Sequence, residues 1–69
     1  MKVKQNTVAR LNVIGSTHYG AWWPFRRQNL VTGVTGNRTD DEWQLTEYEA
    51  QRLVAGIERN MAKAQAGEA

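Results

Sequence analysis

The chain has 69 residues and a formal net charge of +2, with 41% hydrophobic and 23% charged residues. This is the composition of one small domain, predicted to span residues 1–69, and it excludes a disordered tail or a fibrous repeat. The absence of cysteine excludes disulfides, and a single histidine cannot build a histidine-based metal site. No apolar run suits a membrane span or a signal peptide, so we expect a cytoplasmic protein without membrane contact or cofactor.

The first part of the chain has the alternation of β-strands. Apolar and polar side chains alternate over residues 7–14 and 18–25, and residues 30–35 are rich in β-branched types. We therefore predict an antiparallel sheet over about residues 3–45. It has three strands, or four if the residues around Trp43 add a short one, and residues 36–41 form a polar loop.

The register of this sheet decides which side chains are exposed. Residues 15–17 (Gly-Ser-Thr) predict a turn, and Pro24 predicts an edge, a bulge or the end of the second strand, because proline cannot donate a ladder hydrogen bond. A provisional register leaves open whether Trp22 or Trp23 is exposed, since a shift of one residue exchanges the two faces. It places Leu11, Val13 and Trp23 inside, and Arg10, His18, Trp22 and Arg26 outside.

A C-terminal amphipathic helix is predicted over about residues 46–64. Thr46 and Glu49 have the spacing of a capping box, and Gly67 is a terminator within a frayed tail over residues 65–69. Gly56 inside the helix predicts a close approach to the sheet or a helix contact in a homodimer. The expected fold is therefore α+β, in the order β-β-β-α, with the helix on one face of the sheet. The apolar stripe of the helix comprises Ala50, Leu53, Val54, Ile57, Met61 and Ala64.

Charge is divided unevenly along the chain. Residues 1–38 carry six basic and no acidic residues, whereas residues 39–69 carry seven acidic and three basic ones. This asymmetry is compatible with a nucleic-acid or acidic partner, and equally with attraction between the two halves.

The segment around Trp22 and Trp23 has the most unusual composition of the chain. Adjacent tryptophans in a strand point to opposite faces, so one is expected to lie exposed beside Arg26 and Arg27 at a hairpin tip. The alternative is that the indole packs under a loop and that the arginines are ordinary turn residues. The predicted partner-binding residues are Arg10, His18, Tyr19, Trp22, Arg26 and Arg27, with secondary basic contacts from Lys2, Lys4 and Arg38.

No catalytic constellation is present in the sequence. Ser16 and His18 have no acidic residue nearby to complete a triad, and the glycines form no phosphate-binding motif. The acidic run at residues 40–42 lacks the spacing of a calcium loop and is predicted to be a solvated loop. We therefore expect no enzyme activity.

Two functions remain open. In size and general character the chain resembles the short proteins of bacteriophages and mobile elements, including anti-CRISPR inhibitors, which implies docking on a host protein or ribonucleoprotein complex to inhibit or modulate it. Residues 19–57, a predicted sheet followed by a helix, resemble the arm-type DNA-binding domains of phage integrases, although Pro24 departs from that pattern. That resemblance implies a DNA- or RNA-binding sheet face. The modest net charge favours the protein partner.

Overall fold

Three α-helices account for most of the chain. A computed structural model describes residues 1–67, in which α1 is Gln5–Tyr19, α2 is Trp23–Val34 and α3 is Glu47–Gly67. Single 3₁₀ turns, Gly20–Trp22 and Glu42–Gln44, precede α2 and α3. The helix α1 packs against both of the others. Residues 68 and 69, part of the predicted frayed tail, lie outside the described residues.

The predicted α+β fold is wrong, because the described residues contain no strand. Their β-type pairing is limited to an isolated bridge between Lys2 and Thr46. The residues predicted to form the first strand lie instead in α1, where Val8 and Leu11 are buried but Val13 is 64% exposed. Residues 11 and 13 lie about 200° apart around a helix, so they cannot share the face that the strand register gave them. The resemblance to integrase arm domains rested on that sheet and is therefore wrong as well.

Gly20 and Pro24 lie at the connection between α1 and α2, and Pro24 is the residue that suggested a strand edge in the sequence. Gly20 ends α1 with a φ of 60°, a left-handed conformation that glycine adopts at no steric cost. Pro24 lies in the first turn of α2, where its missing N–H has no helical partner to lose. The predicted turn at residues 15–17 lies inside α1. There Gly15 is buried against the indole ring of Trp23.

The core lies where the three helices meet. Its fully buried side chains come from every part of the chain, with Leu11 in α1, Val31 in α2 and Ile57 in α3. Trp23 is 4% exposed and Trp22 is 69% exposed, which resolves the alternative that the sequence left open. The buried cluster consists of Leu11, Trp23, Val31, Leu45, Ala50, Leu53, Val54 and Ile57.

The helix α3 begins as its capping residues predict. The Thr46 hydroxyl accepts the backbone N–H of Glu49 at 3.1 Å, and the Glu49 carboxylate accepts that of Thr46 at 2.9 Å. The predicted close approach of a sheet to Gly56 is wrong, since the described residues contain no sheet and a Cβ added there would meet no atom outside its own stretch of helix within 4 Å. The alternative, a helix contact in a homodimer, stays a prediction. The polar loop after α2 is present as predicted, with Gly36 and Asn37 both at positive φ.

The helix α1 has no cap of its own and receives one from α3. Its N-cap residue, Lys4, makes no capping hydrogen bond with its side chain, and its first turn carries no acidic residue. The carboxylate of Glu47 instead accepts the Lys4 N–H at 2.8 Å and the Thr7 hydroxyl at 2.7 Å. These bonds lower the pKa of Glu47, the Lys4 N–H being the largest cause. A negative charge at the N-terminus of α1 also interacts favourably with the helix dipole.

Acid is expected to unfold the protein through Glu49. The bidentate hydrogen bond from Arg38 and the Thr46 N–H lower the pKa of Glu49 to about 2. Since an unfolded glutamate titrates near pH 4.3, the unfolded state takes up the proton first as the pH falls. The stabilisation is therefore complete above about pH 5 and is lost progressively towards pH 2.

Thermal unfolding followed by circular dichroism between pH 7 and pH 2 measures this dependence. Glu49→Gln should lower the melting temperature at neutral pH and flatten its decline in acid. Arg38→Gln should flatten the decline too, because it removes the main cause of the low pKa. A decline in Glu49→Gln as steep as in the unmodified protein would show that the acid sensitivity has another origin.

Candidate functional site

A groove lies on the outer side of the turn that joins α1 to α2. Its volume is about 460 Å³. The end of α1 supplies one wall, the 3₁₀ turn supplies the indole of Trp22, and the exposed side of α2 supplies the rest. The lining consists of His18, Tyr19, Trp22, Phe25, Arg26 and Asn29, and we call it the aromatic–arginine groove.

The two large apolar side chains of the groove are exposed. Trp22 is 69% and Phe25 is 65% exposed, and their ring centroids lie 6.1 Å apart at an angle of 49°. Trp22 projects outward because Trp23, one helical step of about 100° further on, points into the core. The two rings thus form a small apolar surface that no other part of the described chain covers.

Tyr19 connects the groove to the core. Its ring stacks on that of Trp23, with centroids 5.8 Å apart and planes 8° apart. The guanidinium of Arg26 lies 5.9 Å from the centre of the same tyrosine ring, within cation–π range, and His18 meets the ring edge-on at 4.6 Å. Because Trp23 is fixed by packing, Tyr19 and Arg26 are held by a rigid support.

The groove is positive and apolar. Arg26 forms no ion pair within residues 1–67, and no carboxylate is among the lining residues. An arginine over an aromatic ring beside two exposed rings is a composition typical of protein-interaction hot spots. His18 and Tyr19 are the lining side chains of types that serve in acid–base catalysis, and no serine, cysteine or acidic residue lines the groove beside them.

Four of the six predicted partner-binding residues line this groove: His18, Tyr19, Trp22 and Arg26. The predicted hairpin tip is wrong, since Arg26 and Arg27 lie in α2. Arg27 points elsewhere. Its Nε lies 2.6 Å from a Glu42 oxygen and its Nη1 donates to Asn12 at 3.0 Å. Arg27 thus connects three segments of the chain.

The remaining predicted basic residues lie apart from the groove. Arg10 pairs with Glu58 of α3 at 2.8 Å, and Arg38 pairs with Glu49 at 2.7 Å. Lys2 and Lys4 are exposed in the segment before α1. The charge asymmetry of the sequence is thus partly explained by attraction between the two halves, because three arginines of the first half pair with three glutamates of the second.

Phe25 and Asn29 belong to the groove but were not among the predicted residues. The signal that identifies them is the spacing of residues 22, 25, 26 and 29, which is i, i+3, i+4, i+7 and places them on one side of a helix. A strand assignment conceals this spacing, because it separates Phe25 from Trp22.

No helix is long and apolar enough to cross a bilayer in residues 1–67. The same residues bring together no group of three metal-ligating side chains. Compared with protein-family models, with curated proteins and with solved structures, the chain matches none of them.

Proposed function

We propose that this is a non-enzymatic interaction protein that docks through its aromatic–arginine groove on a partner protein and modulates it. The observation that carries the proposal is the pair of exposed rings, Trp22 and Phe25, beside the unpaired Arg26. Exposed aromatic and arginine side chains on a fixed support bind with little loss of conformational freedom. The chain has no cysteine and so carries no disulfide that would indicate an oxidising compartment, and we propose that it acts in the cytoplasm.

The chemistry of the groove defines the partner segment. Its two rings take one or two aliphatic or aromatic side chains, and its volume of about 460 Å³ suits a short segment rather than a whole domain face. Arg26 favours a carboxylate next to those side chains, since its guanidinium already lies in the groove without an acidic neighbour among the described residues. We therefore expect a peptide segment with an acidic residue adjacent to large apolar ones.

Trp22→Ala is expected to abolish this binding. A central tryptophan of an interface contributes 2 kcal/mol or more on truncation, so affinity should fall at least about 30-fold. Peptides selected from a random library on the immobilised protein supply the ligand, and fluorescence anisotropy of labelled peptides supplies the affinity. Selected peptides should combine acidic and large apolar residues.

Trp43→Ala is the matched control, because Trp43 is a 49% exposed tryptophan outside the groove. It should change the affinity less than threefold, and Arg26→Gln should weaken peptides that carry a carboxylate more than those that do not. Peptides that bind Trp22→Ala as tightly as the unmodified protein would contradict the proposal. So would a self-association that Trp22→Ala abolishes, since a second copy would then be the occupant.

A further inference from the structure

The solvent face of α3 carries a second, separate surface. Tyr48, Arg52, Arg59 and Lys63 follow one another at spacings of four, seven and four residues, which places them on one side of the helix. All four are exposed. We call this row the basic stripe. It shares no residue with the aromatic–arginine groove.

The cations of the basic stripe are not engaged by any carboxylate of the described residues. Arg52, Arg59 and Lys63 form no ion pair within residues 1–67, and Arg52 lies 5.9 Å from the centre of the Tyr48 ring. The described carboxylates of α3 lie off this row and are engaged elsewhere. Glu47 caps α1, Glu49 binds Arg38, and Glu58 binds Arg10. These three carboxylates are thus engaged by other segments of the chain and not by the stripe.

The residues between the cations are small. Gly56 lies between Arg52 and Arg59, with Ala55 beside it and Ala62 about two turns further along. A mid-helix glycine costs about 1 kcal/mol relative to alanine. Apart from its own stretch of helix, no atom of the described residues lies within 4 Å of the place that a Cβ at Gly56 would take. Such a position leaves the helix backbone open to close approach by a ligand between two arginines.

The length and position of α3 suit insertion of the helix into a groove of a binding partner better than contact with a flat surface. Ile57 is its last fully buried residue, and most of the residues from 58 to 65 are exposed, so its C-terminal turns extend beyond the core. From Arg52 to Lys63 the row spans about 16 Å at 1.5 Å per residue. The major groove of B-form DNA admits an α-helix, whereas that of A-form RNA is too deep and narrow.

We propose that the basic stripe of α3 binds double-stranded DNA, with Arg52, Arg59 and Lys63 on the phosphates along the major groove. The proposed contact is with the backbone, because three unpaired cations in one row match the phosphates by charge. The binding is therefore weak, independent of sequence and sensitive to salt. The protein has two surfaces of different chemistry, one for a peptide and one for a polyanion.

Fluorescence anisotropy of a labelled duplex of random sequence, titrated at several salt concentrations, tests the proposal. The logarithm of the binding constant should fall against the logarithm of salt with a slope of about −2.7, which corresponds to three phosphates at about 0.9 each. Arg52→Gln/Arg59→Gln should lower the affinity about tenfold or more at about 50 mM salt and reduce the slope to about −0.9.

Lys2→Gln/Lys4→Gln is the control of equal charge, because it also removes two exposed cations. It should change the affinity less than threefold and leave the slope unchanged. If both double variants lowered the affinity for the duplex equally, the proposal would be overturned, because net charge alone would then account for the binding. Absence of binding at low salt, or tighter binding to a duplex RNA of the same sequence, would overturn it too. Trp22→Ala should bind the duplex normally, which separates this test from that of the groove.

Discussion

Gly15→Ala is expected to destabilise the protein by about 2–3 kcal/mol, although alanine is the better helix former. A Cβ at this position would overlap the six-membered ring of Trp23, which is itself buried in the core. The indole cannot move away without disturbing the packing of α2 on α1. For a domain of this size the loss corresponds to a fall of about 10 °C or more in melting temperature, measured by circular dichroism.

Gly56→Ala is the matched control in α3, where a Cβ would meet open space. It should stabilise the protein by about 0.5–1 kcal/mol, so the same chemical change has opposite signs at the two sites. In a Trp23→Phe background, which removes part of the overlapping ring, Gly15→Ala should cost clearly less than in the unmodified protein. Equal costs in the two backgrounds would show that the contact with Trp23 is not the cause.

The second large effect is expected at Asn12, whose side-chain oxygen accepts two hydrogen bonds. The indole Nε1 of Trp23 donates to it at 2.9 Å and the Arg27 guanidinium at 3.0 Å. Asn12→Ala leaves both donors without this acceptor, one of them on a buried ring and one on a charged group. An unsatisfied buried donor costs about 1–3 kcal/mol, and more if charged, so we expect a loss of about 2–3 kcal/mol in urea unfolding.

Two comparisons show whether the lost acceptor is responsible. Asn60→Ala changes an exposed asparagine of α3 and should shift the free energy of unfolding by less than about 0.5 kcal/mol. Asn12→Asp keeps an acceptor oxygen and should retain more than half of the stability that Asn12→Ala loses. The explanation is wrong if Asp and Ala at position 12 cost the same, or if Asn12→Ala costs no more than Asn60→Ala.

The sequence predicted α3 well because its signals are local. The capping residues Thr46 and Glu49 and the apolar stripe that follows them indicate a helix without reference to any other segment. The same holds for the polar loop before it. These features depend on residues within a few positions of one another, which is the range that a sequence pattern describes.

The first two helices could not be predicted from their residue types. They are rich in threonine, valine and isoleucine, which favour strands, and the alternation from residue 7 to 14 reinforces that preference. Burial of Leu11 and Val31 in the shared core overrides this preference, and hydrogen bonds within the helices accommodate the hydroxyl groups. The hydroxyls of Ser16 and Thr17 bond to carbonyls four residues earlier, and Thr35 does the same at the end of α2. Val8, Leu11 and Gly15 do have the i, i+3, i+7 spacing of a helix, but this signal is weaker than the strand-like alternation of residues 7–14.

The candidate groove was predicted in part because its residues are neighbours along the chain. Trp22 and Arg26 are four residues apart, a spacing that places two side chains on the same side of a strand and also of a helix. Their proximity was therefore predicted although the secondary structure was wrong. Phe25 and Asn29 were not predicted, since only a helix brings them to the same side as Trp22. The basic stripe was missed for a different reason. Net charge over the C-terminal half is negative, and the ion pairs that neutralise its glutamates become visible only in three dimensions.

The cap that Glu47 provides to α1 has a consequence for how the chain folds. Of the three helices, α3 alone carries a complete cap from its own sequence, so it can nucleate first, whereas the start of α1 is completed only by a residue more than forty positions later. During synthesis α1 leaves the ribosome before Glu47 exists. We therefore expect α1 to reach its full stability only after Glu47 has been added to the chain.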